Sequence, residues 1–193
     1  RGIWEYIVNN FSAGSTLFHF EIYPDLLDSD DIAFLSTVPA GLFQFEMGIQ
    51  SLNSETLAAI NRSVRKNGWM ENIKAVAENS NIHLHVDLIA GLPYESYSGF
   101  KDSFNTVHGI RARHFQCGFL KVLPGTEMRD RTGEFGLEFS PLPPYQVKQS
   151  RWINYDEMQR LEAMADLLEI FYNSGRFTET ERFLSEKSGS AFS

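Results

Sequence analysis

The sequence predicts an α/β fold: a partial parallel (β/α) barrel, TIM-like but incomplete, followed by a C-terminal helical extension. Three observations carry this reading. Four stretches of period-2 alternation (Leu17–Pro24, Leu42–Gln50, Ile82–Ala90 and His114–Leu120) are separated by helix-periodic stretches long enough for the crossovers that parallel strands need. Each pairs an apolar face with a face rich in Glu, Gln, His or Asp, whereas parallel strands covered on both sides read as continuous apolar runs. From Gly133 the pattern changes to a proline-rich connection and then to helix, which divides the chain into a barrel part, residues 1–132, and a helical extension with its tail, residues 133–193.

A closed barrel fills its interior with Val, Ile and Leu. A polar inner face therefore implies a wide or incomplete barrel around a wet cavity, with an open doubly wound sheet as the structural alternative.

Taken in order, Ile3, Trp4, Ile7 and Val8 predict an amphipathic first helix. Asp28 or Ser29 caps a helix ended by Pro39 and Gly41, and Asn53 caps a short one. After the Asn67-Gly68 break, Met70, Ile73 and Val76 predict a further helix, and Phe100, Phe104 and Val107 predict another beginning at Ser98. Ser140 to Tyr145 reads as an extended connection. Asp156 to Asn173 reads as a long helix, and Thr178 with Glu181 matches a capping box for a last short one. The Gly/Ser tail is expected to be disordered.

With 193 residues, 42% of them hydrophobic, the chain can bury the core of one domain with room for a small appendage. A net charge of -8 and a pI near 5.1 argue against a nucleic-acid backbone or an anionic membrane as partner, since both need clustered Lys and Arg. The sequence has no secretory h-region and no apolar run of transmembrane length, so the expected location is cytoplasmic. The opening at Arg1, inside a helical pattern, leads us to expect a piece of a longer protein.

On the polar row of the third strand, His83, His85 and Asp87 point the same way and have the chemistry of zinc or iron ligands. They equally suit hydrogen-bonded residues of a polar cavity, which need no metal. Glu21 and Asp87 could form an acid/base pair. Cys117, the only cysteine, alternates with Phe115 and Phe119 and reads as a small core residue.

The order of motifs is more specific. Glu21-Ile22-Tyr23-Pro24, Gly48-Ile49-Gln50-Ser51 with Asn61-Arg62, and Val86-Asp87-Leu88-Ile89-Ala90-Gly91-Leu92-Pro93 each lie at or just after a strand end. Together they resemble the second half of the catalytic barrel of the radical S-adenosylmethionine (SAM) superfamily, in particular the oxygen-independent coproporphyrinogen oxidase family and the cobalamin-binding radical SAM proteins. The resemblance covers about Leu17 to Met128, and Leu142 to Phe177 looks like a helical extension of cobalamin-linked members.

The resemblance implies SAM contacts from Glu21, Gln50, Arg62 and Asp87, a tight turn at Gly91, and an adenine site on backbone groups near Lys121. Glu21 would accept from the ammonium, Arg62 would hold the carboxylate in a forked pair, and Gln50 and Asp87 would bind ribose hydroxyls. It also implies a 4Fe–4S cluster. The family's Cys-x3-Cys-x2-Cys loop is missing here, so the cluster ligands are expected in the N-terminal remainder of the parent chain. Cobalamin is a further cofactor that some relatives would imply for the parent; the partners implied are a small-molecule cofactor and a substrate that the sequence leaves unassigned. Two readings compete: a metal-dependent hydrolase barrel using His83, His85 and Asp87, and a non-catalytic barrel acting as an interaction module.

Overall fold

The computed structural model describes residues 1–62 and 68–192, so Asn67 of the expected Asn67-Gly68 break lies outside the described residues. Helix α1 (Gly2–Asn10) precedes β1 (Phe18–Glu21), α2 (Ser29–Leu35) and β2 (Phe43–Gln50). Then come α3 (Ser54–Ala59), α4 (Trp69–Asn79), β3 (His83–Ala90), α5 (Tyr97–His108) and β4 (His114–Phe119). Two short helices, α6 (Glu127–Asp130) and α7 (Thr132–Phe135), lead into β5 (Glu138–Phe139) and β6 (Val147–Gln149), and the chain ends with α8 (Tyr155–Leu167) and α9 (Thr178–Ser188).

Strands β1 to β4 form one parallel sheet in sequence order, with Phe18 to Glu21 in register with Phe43 to Glu46. The order contains no reversal of the kind on which a doubly wound sheet turns. Alternation of burial follows the pleat. Phe43, Phe45, Met47 and Ile49 of β2 are buried, as are Leu84, Val86, Leu88 and Ala90 of β3, while the intervening polar residues keep partial exposure. Each large apolar side chain removed from water contributes about 1.5–3 kcal/mol. A one-residue slip would exchange both faces, so this burial fixes the register.

Contacts divide the chain into two compact units. The first comprises Arg1–Gly48, Val64–Val86 and His108–Phe115. In it the α1 residue Trp4 packs on Phe20 and Phe45, with ring centroids 6.4 and 5.4 Å away. The amide of Asn72 on α4 donates to the carbonyls of Pro24 and Leu27 and so holds the turn after β1. Asp28 accepts from the Asp30 and Asp31 amides while Asp31 returns a bond to the Asp28 amide, a capping box that starts α2.

The second unit comprises Ile49–Ser63, Asp87–Val107 and Gln116–Ser193. Asn53 caps α3 through the amides of Glu55 and Thr56. Asn154 and Glu157 form the capping box of α8, whose last turns widen to π-helical geometry over Leu168–Asn173. Among the described residues no helix is long and apolar enough to cross a membrane.

Three expectations are corrected. The Ser140 to Tyr145 connection turns rather than runs extended, with the Tyr145 amide donating to the Leu142 carbonyl, and it joins an antiparallel pair, β5 with β6, which no periodicity could reveal in strands this short. Thr178 is not the cap of α9: Phe177 precedes the helix without a side-chain cap, and the Thr178 hydroxyl donates back to the Gly175 carbonyl. The Gly/Ser tail is docked. Asn105 Oδ1 accepts from the Ser190 hydroxyl and the Ala191 and Phe192 amides at 3.1, 3.0 and 3.2 Å, and the Phe192 ring packs edge-on against Tyr97 and Phe104. One aromatic residue supplies an anchor that a Gly/Ser composition conceals.

Gly91 ends β3 with φ +85°, and a Cβ built there would lie 2.9 Å from Met158 Cε and 3.4 Å from Val147 Cγ1. The flexible end of Met158 can yield, whereas the backbone conformation cannot. Gly91→Ala should therefore destabilise the protein by about 1–3 kcal/mol, and adding Met158→Ala should not restore stability. Denaturant unfolding of both variants checks this; an unchanged midpoint for Gly91→Ala would contradict it.

Candidate functional site

Strand β2 ends in a strained turn. The Ser51 amide donates to the Ile49 carbonyl at 2.8 Å, closing a three-residue loop around Gln50, whose φ is +68°. Such a γ-turn is rare, and a non-glycine residue at positive φ costs on the order of 1–3 kcal/mol unless its surroundings hold it.

Asp87 holds it from one side. On β3 its Oδ1 accepts from the Ile49 amide at 2.9 Å, and Gln50 Nε2 lies 3.3 Å from Oδ1 and 3.2 Å from Oδ2. Bonds to a carboxylate are stronger than bonds between neutral groups. Glu95, just past the Gly91-Leu92-Pro93 turn, holds it from the other. The Ser51 hydroxyl donates to Glu95 Oε1 at 2.6 Å and accepts from the Asn53 amide at 3.0 Å. The Ser103 hydroxyl of α5 donates to the same carboxyl oxygen at 3.3 Å.

Ser51 and Glu95 have no exposed surface, and Glu95 Oε2 has no hydrogen-bond partner. Burial pushes the Glu95 carboxyl up to about 7, against the opposing pull of the Ser51 and Ser103 hydroxyls. A carboxylate beside a carboxamide at a strand end presents both acceptors and donors, the set that binds a vicinal diol.

Gln50 and Asp87 are thus brought into hydrogen-bond contact. Arg62, half-buried, comes directly after Asn61, which has φ +57° and donates to Glu127 Oε2 at 3.2 Å; the Arg62 amide donates to the Leu57 carbonyl. Gly91 packs against Val147 and Met158. Lys121 is exposed and bridges to Gln146, between backbone bonds from Val122 to Tyr145 and from Val147 to Leu120. These five residues belong to the second unit; Glu21, exposed at the end of β1, belongs to the first.

The first unit also gathers histidines. The His85 ring centroid lies 4.8 Å from that of His83, 4.5 Å from His114 and 6.5 Å from His19. Burial, then the imidazoles of His114, His83 and His19, push His85 down to about 4. Burial, then Arg113 and His114, lower His83. His19 is held by Gln44 at 3.0 Å and by Glu46 at 3.3 Å. The metal-hydrolase reading of His83, His85 and Asp87 is corrected on this geometry. Among the described residues no three His, Cys, Asp or Glu side chains are arranged to hold a metal ion. The histidines pack ring against ring, and Asp87 is turned to Ile49 and Gln50. Glu95 and Ser103 went unrecognised in the sequence, because an acid two residues past a proline and a helical serine carry no periodic signal of burial.

These environments have two expected outcomes. Burial, then Glu95, push the Cys117 thiol up to about 12, so at pH 8 its thiolate fraction is about 10⁻⁴. Ellman's reagent should modify it only after denaturation; rapid labelling of native protein would contradict this. His85 binds fewer protons folded than unfolded between about 4 and its ordinary 6.5, so its contribution to stability is present above 6.5 and is lost as the pH falls through about 4. His85→Gln should therefore resist acid better than the wild type, relative to their difference at pH 7.5, in urea midpoints measured from pH 7.5 to 4. Parallel curves would contradict it.

Comparison with known proteins places this geometry among others. Residues 133–193 match a family model described as "Protein of unknown function (DUF4080)". The tRNA-2-methylthio-N(6)-dimethylallyladenosine synthase of Streptomyces griseus subsp. griseus is 27% identical over 143 residues, covering 71% of this chain and 26% of that protein. The fold resembles the coproporphyrinogen III oxidase HemN from Escherichia coli, a radical SAM enzyme, with a TM-score of 0.58 and 18% identity over 87% of this chain and 36% of that one. It also resembles the radical SAM methyltransferase TsrM from Kitasatospora setae, with a TM-score of 0.52 and 15% identity over 69% of this chain and 27% of that one. The chain spans 26% of the curated relative and 36% of HemN. The likeness in fold is to part of a radical SAM barrel.

Proposed function

We propose that this chain supplies the SAM-binding side of a radical SAM enzyme's barrel. The observation that carries the reading is the strained Gln50 turn at the end of β2, paired to Asp87 on the neighbouring strand β3. Strain at a strand end persists where the surroundings over-determine it, and it concentrates at ligand sites.

In this reading Gln50 and Asp87 bind the ribose hydroxyls of SAM and Glu21 accepts from its ammonium. Arg62 holds its carboxylate, backbone groups near Lys121 meet the adenine, and Gly91 gives the turn its shape. The donor set fits: carboxylates for hydroxyls and ammonium, and a planar guanidinium for a carboxylate.

The 4Fe–4S cluster of the superfamily does not fit here, because such clusters take cysteine thiolates and the one cysteine, Cys117, is half-buried with its thiol strongly disfavoured from ionising. We assign its ligands to a part of the parent protein outside this sequence, consistent with the share of each relative that the chain spans. SAM bound beside such a cluster supplies radical chemistry; what these residues do is bind and orient it. Cobalamin is a candidate second cofactor of the parent, and the helical region 133–193 is assigned as an extension of the barrel. The partners in this reading are a small-molecule cofactor and an unassigned substrate, and the charge of -8 favours neither nucleic acid nor an anionic membrane.

Arg62 gives the test. Removing the partner of a shielded carboxylate costs about 2–5 kcal/mol, more than tenfold in affinity at about 1.4 kcal/mol per decade. In the full-length parent with its cluster, Arg62→Ala and Arg62→Lys should both weaken SAM binding and slow 5′-deoxyadenosine formation, since an ammonium cannot reproduce the fork. Unchanged affinity in both variants would overturn the assignment.

A further inference from the structure

Beyond the residues assigned to SAM, the second unit contains a buried carboxyl that the proposed function does not use. Glu95 reaches the Gln50–Asp87 pair by way of Ser51. Its Oε1 receives the Ser51 hydroxyl at 2.6 Å, the shortest bond around the strained turn, and Ser51 is the residue whose amide closes that turn on Ile49. The same Ser51 oxygen accepts the Asn53 amide, which ties the turn to the start of α3. Ser103 on α5 donates to the carboxyl from a second element. Asp87 secures the residue before Gln50, and Glu95 secures the residue after it. Gln50, at φ +68°, sits between two carboxyl anchors.

We infer that Glu95 is a positioning residue: through Ser51 it holds Gln50 in the conformation that pairs with Asp87. The chemistry of the anchor is that of a neutral acid. Glu95 has no exposed surface, and Oε2 has no donor to stabilise a charge on it. The groups facing it are the hydroxyls of Ser51 and Ser103 and, through space, the Cys117 thiol on β4, which stays neutral across the physiological range. Ionisation places an unsolvated charge in this pocket, and the bonds that Ser51 and Ser103 donate to Oε1 then become charge-assisted and stronger. The Ser51 anchor therefore tightens as the pH rises through about 7.

The test is a pH titration of the ¹⁵N-labelled chain by NMR. In the wild type the Gln50 and Ser51 amide resonances should move together with a midpoint near 7. Glu95→Gln, which keeps an acceptor for Ser51 and cannot ionise, should hold both at their low-pH positions throughout. Glu95→Ala and Ser51→Ala should displace both at every pH and lower Ser51 amide protection at least about tenfold; should either fail to fold, the wild type and Glu95→Gln decide alone. A role confined to packing leaves the wild-type resonances insensitive to pH. That result, or a midpoint that persists in Glu95→Gln, overturns the inference. The functional arm rests on the SAM reading: in the full-length parent, SAM affinity should rise several-fold from about pH 6.5 to 8.5 and become flat in Glu95→Gln. A flat wild-type affinity beside intact resonance titration supports the positioning role and removes the SAM reading instead.

Discussion

The proposed site depends on one backbone conformation: Gln50 at positive φ, at the point where β2 stops being a strand. Left to itself, that conformation is disfavoured by a margin comparable to the contribution of one or two hydrogen bonds. It persists because three bonds converge on the residues either side of it: the Ile49 amide and Gln50 side chain on Asp87, and the Ser51 hydroxyl on Glu95. Both acids are delivered by the same stretch, β3 and the Gly91-Leu92-Pro93 turn after it. The positive φ at Gly91 lets that stretch turn, and Met158 and Val147 pack against it there.

At four side chains burial favours the neutral form: His83, His85, Glu95 and Cys117. In the first unit it lowers His83 and His85, with neighbouring imidazoles adding repulsion to desolvation. In the second it raises Glu95 and Cys117. His83 and His85 are thereby neutral polar packing elements near neutral pH, and the half-buried Cys117 keeps its thiol neutral. Asp87 differs in kind: its carboxylate receives a backbone amide and a carboxamide, so its place is set by donors.

Much of this was legible in the sequence. Alternation in Phe43 to Gln50 and His83 to Ala90 placed the apolar face correctly, because a strand with one buried face has no freedom to slip. Asp28 and Asn53 announced their helices, since a side-chain oxygen at an N-cap is a local device. What failed was non-local. The docking of Phe192 depends on Asn105, far away in the chain, and β5 and β6 are too short to show a period. The Thr178 motif had the right spacing, but its hydroxyl found the Gly175 carbonyl instead. The pairing of Gln50 with Asp87 could be expected as a shared site, whereas the part of Glu95 became visible only once its burial and its bond to Ser51 were known.

The most direct measurement is a crystal structure of the full-length parent with SAM bound. The account predicts that Gln50 keeps its positive φ, that the SAM ribose lies within hydrogen-bonding distance of Asp87, and that Glu95 remains bonded to Ser51. SAM seated away from the Gln50–Asp87 pair, or Gln50 relaxed to extended backbone with the ligand in place, would contradict it.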